Sequence, residues 1–200
     1  MIVYVESNFV LELAYLQEEH SFCEQLLGLA LTEQVQLVIP AYCIAEPYHA
    51  WVQKSQKRKD ISQRFADEIK ELSRSKPYIE MTQVLQPIPV KLLESSKAEK
   101  RVLDSKLLQI LSVAAVIPLD KTIVESAIEL QITRGLLTQD SIVYASVLAH
   151  LEAMGGAKTC FITKNSNDFG SPEIMADLGS QNCKLLFKFQ AGLGYIQSQL

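Results

Sequence analysis

The stretch Met1–Asn8, MIVYVESN, decides the fold. Ile2, Val3, Tyr4 and Val5 are four consecutive strand formers, and Glu6, Ser7 and Asn8 follow them directly. A short, unbroken apolar run rich in β-branched residues reads as a strand buried on both faces, the mark of a central strand in a parallel sheet. Ser7 and Asn8 suit the start of a helix, and Phe9, Val10, Leu13 and Leu16 suit its apolar face. Glu6 is therefore expected at the carboxyl end of a buried strand, the edge at which open α/β sheets bind their ligands.

Working outward, strands alternate with helices. A helical pattern over 20–32 leads to a second strand, QVQLVI, at 34–39. Pro40 introduces a long helical run over 41–75, with Pro47 in its first turns or bending it. Pro77, Pro87 and Pro89 mark the next region as a loop. Residues 91–116 are again helical, followed by a brief extended stretch at 116–119. Helices are expected over 123–133, stopping near Gly135, and over 138–154, with Thr138 as its cap. TCFIT at 159–163 and CKLLF at 183–187 read as strands. Between them lie a turn-rich loop at 164–170 and a short helix at 172–178, and 189–200 closes the chain as a helix. Alternation of this kind implies parallel strands joined by crossover helices.

A chain of 200 residues fits one domain over 1–200, with a helical insertion or arm at about 50–116. Its apolar content of 48% and charged content of 21% are those of an ordinary globular protein. No segment reads as a membrane span, and the amino terminus lacks a signal-peptide pattern, so a cytoplasmic protein is expected. Cys23, Cys43, Cys160 and Cys183 form no CxxC pair and no zinc-like spacing, which points to reduced, mostly buried thiols. The net charge of −4 is unevenly spread: residues 1–49 hold seven acids and no Lys or Arg, whereas residues 50–110 carry a balance of +5. Lys54, Lys57, Arg58 and Lys59 stand out in that middle third as cations able to attract a phosphate backbone. The plainer reading of the same run is a solvated helical face.

Four acids fall just after strands or near helix starts: Glu6, Glu46, Asp140 and Asp168. Singly, each is an ordinary helix-start or turn acid. In a parallel sheet those places share one edge, so four carboxylates from distant parts of the chain would meet there. Such a cluster is costly unless a cation neutralises it, and hard oxygen donors suit Mg²⁺ or Mn²⁺. A divalent ion held this way can activate water and stabilise a phosphoryl displacement.

These residues resemble the PIN-domain family of metal-dependent ribonucleases. The likeness rests on VYVESN at the start, Glu46 in PAYCIAE, GLLTQDSIVYASVL around Asp140, and FITKNSNDF. It covers residues 1–50 and 117–190. It implies a three-layer α/β/α sandwich with a central parallel sheet, enlarged here by the helical arm. It implies also a Mg²⁺- or Mn²⁺-dependent endoribonuclease acting on single-stranded RNA, a toxin or an RNA-processing enzyme, with Glu6, Glu46, Asp140 and Asp168 as catalytic and metal-holding residues. Ser7, Asn8, Thr163 and Asn165 would support the site, and Lys54, Lys57, Arg58 and Lys59 would bind RNA. An antitoxin-like protein and a second copy of the chain are the expected protein partners. Two positions depart from the pattern: Glu6 replaces the usual Asp, and Asn165 replaces an acid that Asp168 would take over. The alternative is a catalytically degenerate module of the same fold that binds RNA or a protein. A di-iron carboxylate site, suggested by Glu46-Pro47-Tyr48-His49, lacks its second E-x-x-H and its four-helix bundle. A nucleotide-binding domain lacks the glycine-rich loop, since Gly192-Leu193-Gly194 follows the last strand.

Overall fold

The structure, a computed structural model, describes residues 1–200. Five parallel strands form one sheet in the order β3-β2-β1-β4-β5. They are β1 (Ile2–Val5), β2 (Gln36–Pro40), β3 (Ala115–Ile117), β4 (Thr159–Ile162) and β5 (Cys183–Leu186). β1 lies in the middle, and all four of its residues are buried. That placement follows from its composition: only a strand covered on both faces can carry Ile2-Val3-Tyr4-Val5 without exposing apolar surface. Its neighbours are β2, with Tyr4 opposite Val38, and β4, with Val5 opposite Ile162. Because every strand points the same way, the chain leaves β1, β2 and β4 at one edge.

Helices cover both faces, giving the α/β/α sandwich. They are α1 (Ser7–Tyr15), α2 (His20–Leu31), α3 (Tyr42–Leu72), α4 (Ile79–Leu85), α5 (Ile88–Leu111), α6 (Lys121–Arg134), α7 (Thr138–Met154), α8 (Ser166–Phe169), α9 (Pro172–Ser180) and α10 (Phe189–Gln197). The core is one cluster of 39 buried residues that includes Val3, Phe9, Leu37, Val147 and Phe161. Leu103, Leu107 and Ile110 also belong to it, so the later part of α5 packs on the body of the protein.

α3 continues through Pro47, its sixth residue, without a break. α3 and α5 pair antiparallel. Tyr48 Oη donates to Asp104 Oδ1 (2.8 Å), Trp51 Nε1–H to the Ser96 carbonyl (2.9 Å), and Ser62 Oγ to the Pro89 carbonyl (2.9 Å). As the residue number rises on α3, its partner's number falls on α5.

Several local expectations change. The region from Pro77 to Pro89 is not a loop. A 3₁₀ turn at Lys76–Tyr78 and α4 occupy it, and α5 begins at Ile88. Pro77 and Pro89 sit in first turns, where the missing N–H has no partner to lose. The loop at 164–170 contains the short helix α8. Thr138 is the first residue of α7 instead of its cap; Leu137 holds the cap position, and Thr138 Oγ1 donates to Gln131 Oε1 (3.1 Å). The stop at Gly135 is as expected, with φ +68° ending α6 in the left-handed conformation glycine favours. The four cysteines are free and buried. His150, which has no evident partner in the sequence, is bonded through Nδ1 to Tyr4 Oη at 2.8 Å. No helix is long and apolar enough to cross a membrane.

Candidate active site

Strand register builds the site. Val5 lies beside Ile162, so the next residues, Glu6 and Thr163, leave the sheet side by side. Both are buried, and Thr163 Oγ1 donates to Glu6 Oε1 at 2.8 Å. The same oxygen accepts from Asn8 Nδ2 (2.6 Å) and from the Lys164 backbone N–H (3.4 Å). Ser7 and Asn8, which the sequence suggests as helix caps, instead turn their side chains toward carboxylates: α1 has no side-chain cap. Ser7 Oγ donates to Glu46 Oε2 and lies 3.4 Å from Glu6 Oε2, so one hydroxyl sits between two acids.

Asp140 arrives from the first turn of α7, where Asn165 Nδ2 donates to its Oδ1 at 2.9 Å. Thr163 Oγ1 accepts the Asn165 N–H at 2.9 Å, so residues 163–165 tie Glu6 to Asp140. Glu6, Glu46 and Asp140 border one cleft of about 310 Å³ at the carboxyl edge of the sheet, together with Ser7, Lys164 and Asn165.

The electrostatics record the crowding. Burial pushes the Glu6 carboxyl above its usual range; hydrogen bonds from Asn8, Thr163 and Lys164 oppose this, and the Glu46 charge adds to it. Asp140 is pushed up to about 6, first by burial and then by the Asp168 charge, with Glu6 and Glu46 contributing and the Asn165 bond opposing. Asp168 is thus an electrostatic neighbour of Asp140, but it does not border the cleft. It sits on α8, whose next residue, Phe169, is fixed in the core against Phe161 and Tyr144.

The cleft offers oxygen donors and neither His nor Cys, a set suited to a hard divalent cation. The acids frame the cleft without closing on a point: no three Asp, Glu, His or Cys side chains form a ready-made metal cluster. The E-x-x-H reading fails here, because His49 Nε2 pairs with Gln53 Nε2 (2.8 Å) and is not part of the cleft.

A family model described as PIN domain matches residues 3–169. The chain belongs to the PIN-domain family. The matched range holds all four of the acids singled out above. A solved structure similar to this PIN domain is the crystal structure of VapBC2 from Rickettsia felis bound to a DNA fragment from their promoter. Its TM-score is 0.44 and its identity 16%, covering 92% of this chain and 97% of that one. No curated protein matches the chain.

Sequence reading misses two parts of this PIN domain's site. One is Gln139, a cleft residue beside Asp140. The other is the support beneath the 163–165 segment. Glu12 is fully buried on α1; its Oε1 holds Lys164 Nζ at 2.5 Å and its Oε2 accepts the Glu19 N–H at 2.7 Å. A lone acid within the apolar run FVLELAY is the signal that could have found it. Of the cations named from the sequence, Arg58 is paired with Glu99 at 2.6 Å, and Lys54 Nζ lies 4.7 Å from the centre of the Tyr15 ring. Lys57 and Lys59 are exposed.

Proposed function

We propose that this PIN domain is a divalent-metal-dependent endoribonuclease that hydrolyses phosphodiesters of single-stranded RNA, leaving a 5′-phosphate and a 3′-hydroxyl. The observation that carries the reading is the convergence of Glu6, Glu46 and Asp140 on one cleft, with Asp140 pushed up to about 6 by burial and by neighbouring carboxylates. Like charges gathered in a half-buried cleft are stabilised by a cation, and Mg²⁺ or Mn²⁺ is the class that oxygen donors select. Glu6, Glu46 and Asp140 would hold it, with Asp168 adding its charge beside Asp140. Once bound, the ion would acidify water and offset the charge that builds on the phosphate. The chain's own residues fix the carboxylates. Thr163, Asn8 and the Lys164 N–H orient Glu6, Ser7 orients Glu46, and Asn165 orients Asp140.

The same reading gives the protein an antitoxin-like partner, a second copy as homodimer, and a cytoplasmic place of work. Exposed apolar side chains around α4, among them Met81, Val84 and Val90, support a protein partner.

The test is cleavage of single-stranded RNA with Mn²⁺ or Mg²⁺ by the wild-type chain and by Asp140→Asn. Activity in the wild type, lost in a folded variant, is expected; equal rates would sink the assignment. One observation favours a second reading, a non-catalytic module that binds RNA or protein. Asn165 stands where an acid would complete the set, and its amide occupies Asp140 Oδ1. Mn²⁺ separates the two, since a working carboxylate site raises the melting temperature and a vestigial one does not.

A further inference from the structure

Helix α6 is apolar on two sides. Ile123 and Ala127 are buried and Leu130 is partly so, on the side that packs on α7. Val124, Ile128 and Ile132 recur every four residues and so share a second side, which faces away from the core. All three are exposed, Ile132 to 83%. A surface helix carries one apolar stripe, and a helix apolar all round is a helix that is covered all round.

The exposed apolar residues form a palindrome about Ile128. Val124 and Ile132 lie four positions to either side of it. Leu119 and Leu137, exposed just outside the two ends of the helix, lie nine positions to either side. No other large apolar side chain is exposed between residues 117 and 153, so the symmetry belongs to the surface as a whole. A pattern that reads the same from both ends matches a copy of itself turned end for end, which is the requirement of a two-fold contact. Charge agrees with that match. Lys121 stands in the first turn of α6, where it opposes its own helix dipole, and its ion-pair partner is the exposed Glu125 at 3.5 Å. Turned end for end, Lys121 lies beside the last turn of the second copy's α6, the end that favours a cation. The arginine of that last turn, Arg134, is already neutralised by Asp177 at 2.9 Å.

We propose that α6 is the interface between two copies of this chain. The two helices pair antiparallel about a two-fold axis at Ile128, with Val124 of each copy against Ile132 of the other. An unrelated partner has no need of the palindrome, and an apolar stripe offers nothing to a nucleic acid. The proposal rests on the preceding section only for the presence of a second copy, and it is independent of the nuclease reading.

Sedimentation velocity of the whole chain tests the pairing. The wild type should sediment as a dimer. Ile128→Glu sets two carboxylates face to face on the axis and should raise the dissociation constant on the order of a hundredfold. Its circular dichroism should be unchanged, since Ile128 is exposed in the single chain. Val84→Glu, at an exposed apolar position of α4, should leave the dimer intact. Register is read by crosslinking under mild oxidation, to which the buried native thiols contribute nothing. Ile128→Cys should give a disulfide-linked dimer, because the axis brings the two copies of this position together. Ile132→Cys should not, because its two copies stand about 12 Å apart, beyond the reach of a disulfide. A monomeric wild type, a dimer that survives Ile128→Glu, or crosslinking at 132 equal to that at 128 would each overturn the proposal. Cleavage of RNA with Mn²⁺ is read separately. A monomeric wild type that cleaves defeats the pairing and leaves the nuclease reading standing. A dimer of the expected register that does not cleave supports the pairing and defeats the nuclease.

Discussion

Thr163 Oγ1 donates to Glu6 Oε1 at 2.8 Å across 157 positions of sequence. The bond exists because β1 and β4 are paired in register up to Val5 and Ile162, so the two residues leave the sheet together. Thr163→Val keeps the shape and removes the donor. It should cost about 1–3 kcal/mol, since a buried carboxylate oxygen and the Asn165 N–H both lose a partner. Mn²⁺ affinity should fall as well, because Glu6 loses its orientation. Thr163→Ser should restore both. Calorimetry of Mn²⁺ binding beside thermal unfolding checks this, and unchanged affinity in the valine variant would contradict it.

Asp140 gives a pH-dependent prediction. Its folded-state value, about 6, lies above the ordinary 3.8. Between those values the folded state binds the proton more tightly than the unfolded chain, so this group's contribution falls as pH rises through 6. Above pH 6 the ionised carboxylate destabilises the metal-free fold, by roughly 1–2 kcal/mol once solvent screening is allowed for. Asp140→Asn keeps an oxygen for the Asn165 amide and removes the charge. In EDTA the variant should therefore melt about 2–8 °C higher than wild type at pH 7.5. The difference should vanish near pH 4. A variant less stable than wild type at pH 7.5 would show that the carboxylate is not under repulsion.

The pair Lys164–Glu12 supports the segment that ties Glu6 to Asp140. Glu12 is fully buried, and its hydrogen bond holds the Lys164 ammonium above its usual range. Removing one partner leaves a buried charge uncompensated, so Lys164→Met should cost about 3 kcal/mol. Glu12→Gln with Lys164→Met leaves no charge behind and should recover most of that loss. Urea unfolding of the two variants decides the matter, and additive losses in the double variant would rule out the coupling.

Much of this is legible in the sequence. MIVYVESN predicts a buried central strand ending in an acid, and strand alternation predicts the parallel sheet. The convergence of Glu6, Glu46 and Asp140 follows from strand direction alone, because a parallel sheet gathers its carboxyl ends at one edge. Other features depend on information that periodicity lacks. Pro77 and Pro89 read as loop residues because proline breaks helix interiors, yet a first turn accepts it. Ser7 and Asn8 have cap chemistry, but the nearby carboxylates of Glu6 and Glu46 compete for the same hydrogen-bonding groups and win. Glu12 is a lone acid in an apolar run, and the partner that keeps it there, Lys164, is 152 positions away and outside the reach of local pattern. The place of Asp168, beside Asp140 but outside the cleft, is set by the single turn of α8.

Asp168 supplies the last prediction, because its role divides from that of the other acids. Its charge is the foremost electrostatic cause, after burial, of the raised Asp140 value. It makes no hydrogen bond to the cleft residues that orient Glu6 and Asp140. Asp168→Asn should therefore lower the Asp140 value from about 6 toward 3.8 while leaving the Asn165–Asp140 bond in place. Carboxyl-carbon NMR titration of the metal-free protein reads that shift directly. Mn²⁺ binding should weaken by less than in Asp140→Asn, because the variant loses a charge outside the cleft and keeps every carboxylate that borders it. If Asp168→Asn abolishes Mn²⁺ binding while the Asp140 titration stays where it was, then Asp168 is itself a direct ligand, and α8 must move on binding to bring it there.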